Sequence, residues 1–575
     1  NNFFVRNNSE HIVIDFEPNQ LILIDGFVYD LILKKKLSTL EIKLLVKNCM
    51  TTETVFPENI TGQYNIILLE GNKVHILSDF IGMKPLYYHF SDQVFVTNNI
   101  YDLIDFGFEK DPIALFQSMV PVLNTPLNTR TILKDVKLLR NGEYLSHDYI
   151  NQKTTFWVDG MDIENRKIKK ADVLQTIHLL QENANIYKEL SERVILPISG
   201  GVDSRITLSS FKSIDDNFDL LSYGEEDYID NKIANNIAAF IGAHHSNISF
   251  KNHLFPTVEE FETLIKNGGD YFLSSWFTVI NELRAKNYST NSIILLGDVL
   301  DTLRAKNVKS LRNRSSRIKY QLKNFSGHEL KLKTLNIEEF ALKQKRLYEE
   351  AISKLEITYP GFFDNLEFHK TAYIRETNLD IDLFLKFIVK KFKPKYQENL
   401  EEAFYISTWG AKTMSKQVNV FKGHYQSYVL MASRHIVKNN LNFSPLDRFE
   451  DKLTHSMLKK KGFNLYSHFP TSQIPFIAYD SNIYLKYLVW AFRSGMDQVL
   501  IKLNKSRLVK NIDWKEYYKN ENNKILLESL LANVDNELKI LPLDLYNKRA
   551  SGELWPLSET DINTFTYLLK VNALK

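Results

Sequence analysis

The sequence predicts a chain of mixed class, α/β and α+β, with a β-rich first part, a parallel sheet and a long helical part. Short apolar runs broken by Gly, Asn, Asp and Pro fill residues 10–150. Strand and helix patterns then alternate over 166–301, and helical periodicity dominates 325–575. We therefore expect one domain over 1–160 and a second over 161–575 whose last part is mostly helical.

Composition sets the outer limits on function. A chain of 575 residues is long enough for two to four domains of ordinary size. The net charge of +3 favours neither a nucleic-acid nor a membrane partner, and we expect neither. Cys49 is the single cysteine, which excludes a disulfide within the chain and suits a reducing compartment. With no signal-peptide pattern and no long uncharged apolar run, we expect a cytoplasmic protein.

The first part of the chain is predicted as strands. "QLILIDGFVYD", "GQYNIILLEG", "KVHILSD" and "QVFVTN" are apolar or alternating runs of strand length. Asn141 and Gly142 supply a tight-turn signal further on. No pair of long helices fits between these breaks, so we expect a β-rich domain.

The second part is predicted as a parallel sheet. The strand pattern "VILPI" precedes a glycine turn and the helical "RITLSSFKSI". "FDLLSY" is the next strand, a helix follows and ends near Gly242, and "SNISF" and "NSIILL" are two more strands. Regular alternation of strand and helix is typical of a parallel sheet covered on both faces.

The stretch Ser199-Gly200-Gly201-Val202-Asp203-Ser204 lies between a predicted strand and a predicted helix. Glycines allow phosphate to approach the backbone, and a helix N-terminus offers free N–H groups and a positive dipole end. No lysine follows the glycines, so this is not the P-loop. An aspartate beside phosphate needs a cation, which makes Asp203 a candidate Mg²⁺ ligand. The alternative is an ordinary turn with Asp203 or Ser204 as the helix N-cap.

Several stretches, taken in order, resemble the asparagine synthetase family. "SGGVDS" looks like the pyrophosphate-binding loop of ATP pyrophosphatases, which activate a carboxylate or carbonyl as an adenylate. Stretches similar to that family's glutaminase domain are "IDGFVYD" at 24–30, "DFIGMKPLYYHF" at 79–90, "RTILKDVKLLRNGEYL" at 130–145 and "FW" at 156–157. "GDVLD" at 297–301 falls where the family has Gly-Glu-Gly-x-Asp-Glu, and "NFSPLDR" at 442–448 weakly resembles Pro-Phe-Leu-Asp. The resemblance implies a glutaminase-like sandwich of the N-terminal-nucleophile type, followed by an ATP pyrophosphatase domain.

The resemblance also implies roles for particular residues. Asp203 and Asp301 would hold Mg²⁺, and Asp298 would receive the proton of the attacking amine. Lys461 or Lys486 would stabilise charge at the α-phosphate. Residues expected to contact ATP are Ile198, Ser199, Gly200, Gly201, Asp203, Ser204, Tyr223, Gly224 and Gly297. The alternatives are solvated carboxylates for "GDVLD", core packing for Tyr223 and solvated surface lysines.

Departures from the family pattern concern the glutaminase. The chain begins Asn1-Asn2 where the family has a nucleophilic cysteine, and neither amide is such a nucleophile. The polar positions of the family's glutamine-binding "NGEIYN" carry Asp25, Phe27 and Asp30. We therefore expect a degenerate glutaminase, so that the amine comes from another source.

The resulting expectation is an ATP-dependent, AMP-forming carboxylate–amine ligase. The resemblance to β-lactam synthetases and lasso-peptide cyclases favours ring closure within a peptide or small molecule, as in antibiotic biosynthesis. Amidation of an amino acid or sugar acid with ammonia is one alternative. An RNA-modifying ATP pyrophosphatase and a catalytically inactive scaffold are two others.

A basic run follows the second aspartate motif. Residues 304–323 carry eight Lys and Arg and no acid. The run suits a loop that attracts ATP and pyrophosphate, a docking surface for an acidic partner or a precursor-processing protease, or a solvated loop.

Overall fold

The fold was examined in a computed structural model. It describes residues 3–6, 20–119, 125–212, 217–268, 274–299, 301–306, 308, 311, 331–358, 370–503, 509–510, 512, 514–532, 534 and 536–551. Within these residues the chain forms two antiparallel or mostly antiparallel sheets, one parallel sheet, a small hairpin and many helices. The predicted mixed class is therefore observed.

The first part of the chain forms two sheets. Its strands are β1 (Phe3–Arg6), β2 (Gln20–Asp30), β3 (Lys35–Lys36), β4 (Ile60–Glu70), β5 (Lys73–Ser78), β6 (Tyr87–Phe90), β7 (Val94–Thr97), β8 (Lys137–Leu138), β9 (Glu143–Asp148) and β10 (Lys153–Val158), and its helices are α1 (Thr39–Thr52) and α2 (Pro112–Met119). One sheet has the order β1-β7-β6-β8, and the other has the order β10-β9-β5-β4-β2-β3.

The two sheets pack face to face because their strands alternate in hydrophobicity. Ile67 and Ile76 of the six-stranded sheet share a buried cluster with Tyr88 and Val96 of the other sheet. Ile66, one residue along β4, points to the opposite face and into a second cluster. The turn at Asn141–Gly142 is present, but it joins β8 to β9, which lie in different sheets. It therefore passes the chain between sheets and does not close a hairpin.

Helix α1 was not anticipated in the β-rich part. Ser38 and Glu41 form a reciprocal capping box at its start. The buried side chains of Ile42 and Val46 cover the outer face of the six-stranded sheet. The Ser-x-x-Glu spacing was the available signal for this helix.

The central part forms the parallel sheet that the alternation predicted. Its elements are α3 (Lys170–Glu189), β11 (Arg193–Pro197), α4 (Val202–Ser209), β12 (Phe218–Tyr223), α5 (Ile229–Ile241), β13 (His244–Ile248), α6 (Val258–Lys266), α7 (Ser274–Ala285), β14 (Ser292–Leu296) and α8 (Asp301–Arg304). With β15 (Gln426–Val429) from the last part of the chain, the strand order is β13-β12-β11-β14-β15, and every pair is parallel. The order reverses between β11 and β14, and open parallel sheets bind ligands beyond the carboxyl ends of their strands at such a point.

The last part of the chain is mainly helical. Its elements are α9 (Ile337–Thr358), α10 (Lys370–Phe392), α11 (Gln397–Tyr405), a π-helical segment (Ile406–Met414), α12 (Ser415–Asn419), β15 (Gln426–Val429), α13 (Arg434–Leu441), α14 (Pro445–Arg448), α15 (Lys452–Met457), β16 (Pro470–Thr471), β17 (Ile474–Ala478), α16 (Ile483–Lys502), α17 (Trp514–Tyr518), α18 (Glu521–Leu531) and α19 (Asn536–Ser551). Strand β15, which the sequence did not single out, completes the parallel sheet. None of the described helices combines the length and apolar character that crossing a bilayer requires.

Candidate functional site

The glycine loop lies at the centre of the parallel sheet. Ile198 is buried and donates its N–H to the carbonyl of Leu221, so the loop starts at the carboxyl end of β11. Helix α4 starts at Val202, and its N-cap residue Gly201 makes no side-chain cap hydrogen bond. The first N–H groups of α4 therefore have no side-chain cap, which is the arrangement that receives anions at helix N-termini.

The loop is shaped by its own serines. The Ser204 hydroxyl accepts from the Ser199 N–H at 3.1 Å, and the Ser199 hydroxyl accepts from the Gly201 N–H at 3.1 Å. These bonds curl the backbone, and both hydroxyls are already used within the loop.

Asp230 accepts one of the loop's N–H groups. Its Oδ1 lies 2.8 Å from the N–H nitrogen of Gly200. A Cβ at Gly200 would lie 2.8 Å from that same oxygen and 3.1 Å from the Cβ of Ser472, so a larger residue here would have to displace these neighbours. Burial raises the pKa of Asp230, although hydrogen bonds from Ser472 and Gly200 oppose the shift. One N–H group of the loop that could bind an anion, that of Gly200, therefore donates to a carboxylate of the protein itself.

The β16–β17 hairpin is fastened to this loop by Arg205. The Arg205 guanidinium is fully buried and donates to the carbonyls of Gly200, Phe469 and Pro470. The Ser472 N–H also donates to the Gly200 carbonyl, at 3.0 Å. Burial lowers the pKa of Arg205 to about 10. The loop and the hairpin therefore form one hydrogen-bonded unit.

Asp203 is paired with two cations from the segment that follows β14. Its Oδ1 lies 2.5 Å from Nη1 of Arg304, and its Oδ2 lies 3.3 Å from Nζ of Lys306. Arg304 is buried and reaches Asp451 with its other two nitrogens, Nε and Nη2. Burial acts to raise the pKa of Asp451, but the charge and hydrogen bond of Arg304, together with the charges of Lys306 and Lys486, hold that pKa low. The candidate Mg²⁺ ligand thus belongs to an Asp–Arg–Asp cluster.

The "GDVLD" segment approaches the loop closely. A Cβ at Gly297 would lie 3.2 Å from Oγ1 of Thr207 and 3.6 Å from Cα of Ser204. Val299 has φ +63°, a left-handed conformation that is costly for a β-branched residue. Asp298 is partly buried in this turn. Asp301 begins α8, and its side chain lies outside the described structure.

Tyr223 and Gly224 lie at the carboxyl end of β12. The Tyr223 ring stacks on Phe250 at 5.4 Å and meets Trp276 edge-on at 5.9 Å. Gly224 has φ +99°, and a Cβ there would lie 3.0 Å from the Tyr228 ring. Tyr223 thus takes part in aromatic packing and Gly224 lies against the Tyr228 ring, while the expected contact of both residues with ATP stays a prediction.

The two candidate lysines differ in environment. Lys486 is buried, with Nζ 3.0 Å from Nδ1 of His455 and 2.8 Å from the carbonyl oxygen of Tyr479, to which it donates. Burial lowers its pKa to about 8. Asp451 acts electrostatically on Lys486 as well as on Arg304, which links this lysine to the loop cluster. Lys461 is exposed in the turn after α15.

The "NFSPLDR" stretch contacts the segment after Asp301. Arg448, fully buried, donates to the Thr302 carbonyl and forms a two-pronged ion pair with Glu402, both prongs at 2.6 Å. Asp447 accepts from the Ile168 N–H at 3.1 Å. These contacts tie α8 to the helical part of the chain.

The positions that departed from the glutamine-binding pattern have structural partners. Asp25 is buried, bonds Asn98 at 2.8 Å, and lies 3.4 Å from Lys84 and 4.0 Å from Lys422. Burial acts to raise its pKa, but the charges of Lys84 and Lys422, together with the hydrogen bonds from Asn98 and Lys84, give a net decrease.

Phe27 and Asp30 on the same strand also serve the fold. Phe27 packs edge-on against Tyr187 and Tyr428. Asp30 accepts from the N–H groups of Ile32 and Leu33 and so caps the turn after β2. Asn1 and Asn2 lie outside the described residues.

No known protein family's sequence profile matches the chain, and no curated protein sequence matches it. The site therefore stands on its own geometry. Within the described residues no cluster of three or more His, Cys, Asp or Glu side chains is placed to hold a metal ion.

Sequence reasoning missed the groups that surround the loop. Arg205 directly follows "SGGVDS", and Arg304 opens the basic run, so position in the sequence was a signal for both. Asp230 and Asp451 lie in unrelated helical stretches and carried no signal. Of the basic run, Arg304 and Lys306 contact Asp203, while 307, 309–310 and 312–323 lie outside the described residues.

Proposed function

We propose that the chain is an ATP-dependent amide-forming synthetase that adenylates a carboxylate and passes the acyl group to an amine. The observation that carries this proposal is the uncapped N-terminus of α4, which follows a glycine loop at the reversal point of a parallel sheet. The order of stretches similar to the asparagine synthetase family supports the same reaction.

Pyrophosphate would bind at the glycine loop and leave from it. The N-terminal N–H groups of α4 suit an anion, and Arg304 and Lys306 supply positive charge beside them. These two cations now neutralise Asp203. Arg304 is held by Asp451 through Nε and Nη2, so its Nη1 is free to exchange Asp203 for a phosphate oxygen without the side chain leaving its place.

Asp203 and Asp301 would hold Mg²⁺, which would neutralise the phosphates and the leaving pyrophosphate. Asp203 fits this role by its donor chemistry and its partial exposure. Its pairing with Arg304 and Lys306 means that metal binding must compete with two protein cations. We therefore expect Mg²⁺ to bind well only together with ATP, whose phosphates attract those cations.

The amine would come from the substrate or from free ammonia. Asp298 would accept the amine's proton, and Lys486 would stabilise charge at the α-phosphate. Asp25, Phe27 and Asp30 are engaged in an ion pair, aromatic packing and a turn cap, which supports the loss of glutamine binding. Val299 keeps a left-handed backbone where the resembled motif has glycine, which supports descent from that motif.

The test is ATP-dependent release of pyrophosphate over a panel of amino acids, peptides and sugar acids, with and without ammonium. The proposal expects Mg²⁺-dependent pyrophosphate and AMP with at least one carboxylate. Asp203→Asn should abolish the release, while Asp227→Asn, on an exposed pair with Lys510, should leave it unchanged. Equal turnover by Asp203→Asn and the unmodified chain would refute the assignment.

A further inference from the structure

Helix α16 presents its charged face to the protein and its apolar face outward. Lys486 contacts His455 and Tyr479, and Arg493 donates to the Ser472 carbonyl and pairs with Asp497 on the next turn. These contacts fasten the charged face of α16 beside the glycine loop. Charged side chains therefore share the inward side of the helix with the half-buried Val489, Met496 and Leu500, while Leu488 and Phe492 are exposed.

The outward face carries a continuous apolar ridge. Leu485, Leu488, Phe492 and Val499 recur at three-, four- and seven-residue spacing, so they share one side of the helix, and Leu503 continues the ridge just beyond its end. Leu488 is 68% exposed, Phe492 64% and Leu503 61%. Single exposed apolar residues are ordinary on protein surfaces, but a ridge along 20 helical residues marks an interaction surface.

We infer that this ridge is the contact between two copies of the chain, paired across a two-fold axis. A two-fold contact requires a surface that complements itself. In an antiparallel pairing centred at the level of Ser494, Leu485 lies opposite Leu503 and Phe492 lies opposite Met496. Leu488 is then at the level of the half-buried Leu500, so each of these ridge residues has an apolar residue of the other copy at its own level along the axis.

The middle of the ridge is shaped for close approach. Gly495 lies beside Phe492, and among the described residues outside its own stretch of helix nothing comes within 4 Å of the position that a Cβ there would occupy. A second helix can approach closely at this point because no side chain stands between the backbones. Arg493 and Asp497 point the other way and pair with each other, so they place no like charges in the contact.

The area of the ridge matches what a dimer needs. At on the order of 150–200 Å² for each large apolar side chain, the exposed fractions of the five ridge residues amount to roughly 430–580 Å² per copy. Specific interfaces bury about 800 Å² per partner, so the ridge would supply more than half of that area and the residues around it would supply the rest. The inference does not depend on the proposed reaction.

The first experiment measures the mass of the full chain by sedimentation over a wide concentration range. We expect the unmodified protein to have twice the mass of one chain. Leu488→Glu and Phe492→Glu should each have the mass of a single chain. Both residues are exposed, so these variants should keep the circular dichroism and melting temperature of the monomer fold. Leu342→Glu, at a residue 54% exposed on α9, is the matched control and should remain dimeric.

The second experiment tests the register. In a Cys49→Ser background, Gly495→Cys should form a disulfide-linked dimer because the two copies of position 495 meet near the axis. Leu485→Cys should not, because the two copies of that position would be separated by roughly 27 Å along the helices. Equal cross-linking by the two variants would overturn the antiparallel pairing.

Two further results would overturn the dimer itself. One is a monomer at every concentration, and the other is a dimer that persists in Phe492→Glu. Binding of the chain to vesicles of phosphatidylglycerol and phosphatidylcholine, lost in Phe492→Glu without any change in mass, would assign the ridge to a lipid surface instead. The proposed function and the proposed dimer can each be refuted without the other, because pyrophosphate release and mass are measured independently.

Discussion

Nη1 of Arg304 lies 2.5 Å from Oδ1 of Asp203, while Nε and Nη2 of the same guanidinium hold Asp451. One buried arginine thus joins the glycine loop, the segment after β14 and the turn before α15. Its planar fork suits this role because it binds one carboxylate with two nitrogens and still has a third for another.

This cluster predicts a stability effect. Arg304→Met leaves Asp451 without its paired guanidinium and Asp203 with Lys306 alone, and we expect the free energy of unfolding to fall by about 3 kcal/mol. Arg304→Lys should lose most of the same energy, because an amine lacks the fork. Urea unfolding measures both. A double-mutant cycle with Asp451→Asn should show strong coupling, and additive effects would contradict the pairing.

The tight packing of Gly200 predicts that its replacement disturbs the loop. In Gly200→Ala the new methyl group would press on Asp230 and Ser472, and we expect a loss of about 1–3 kcal/mol from overpacking. The thermal shift produced by Mg²⁺ and ATP should also disappear. Gly410→Ala is the control, because the nearest described side chain that a Cβ there would meet is Ile406, at 3.9 Å. An unchanged thermal shift in Gly200→Ala would contradict the role of the loop.

The buried lysine of α16 predicts a dependence of stability on pH. The pKa of Lys486 is about 8 in the folded chain and has its usual value of 10.5 when the chain is unfolded. Between these two pKa values the unfolded chain binds more protons than the folded chain, so the free energy of unfolding rises with pH through this window. Below the window Lys486 is charged in the folded chain, and burial of that charge costs free energy.

Lys486→Met should remove that rise. Relative to the variant, the unmodified chain should gain up to about 3 kcal/mol between pH 7.5 and pH 10.5. Urea unfolding at several pH values measures the difference between the free energies of unfolding of the two proteins. The titration of groups that the two proteins share cancels in this difference. Parallel pH profiles for the two proteins would show that Lys486 keeps an ordinary pKa.

The N-terminal sheets predict that glutamine is not an amine source. Cys49 is buried, and burial raises the pKa of its thiol, which disfavours the nucleophilic thiolate. Asp25, which is buried beside Lys84, would repel the carboxylate of glutamine. We therefore expect no glutamate from glutamine, with or without ATP, in an assay that detects it directly. Glutamate formation that survives Cys49→Ala would show that another nucleophile is present.

Much of the fold follows from local pattern. The strand Phe218–Tyr223 and the helix that ends before Gly242 lie where periodicity and capping place them. The capping box of Ser38 and Glu41 was equally local, and it was overlooked because strand signals surround it. Strand β15 is short, four residues between helices, and its pairing with β14 depends on a connection of more than a hundred residues.

The sequence by itself determined the order of elements and the glycine loop at the end of β11, because these depend on residues a few positions apart. The tertiary structure decided which charges meet. Asp203, Arg304 and Asp451 are brought together by crossover connections, and no local pattern encodes their distances. It also decided which face of α16 is buried, because Lys486 and Arg493 bind groups contributed by distant segments. Periodicity shows that a helix has an apolar face, whereas contacts with the rest of the chain determine whether that face turns inward.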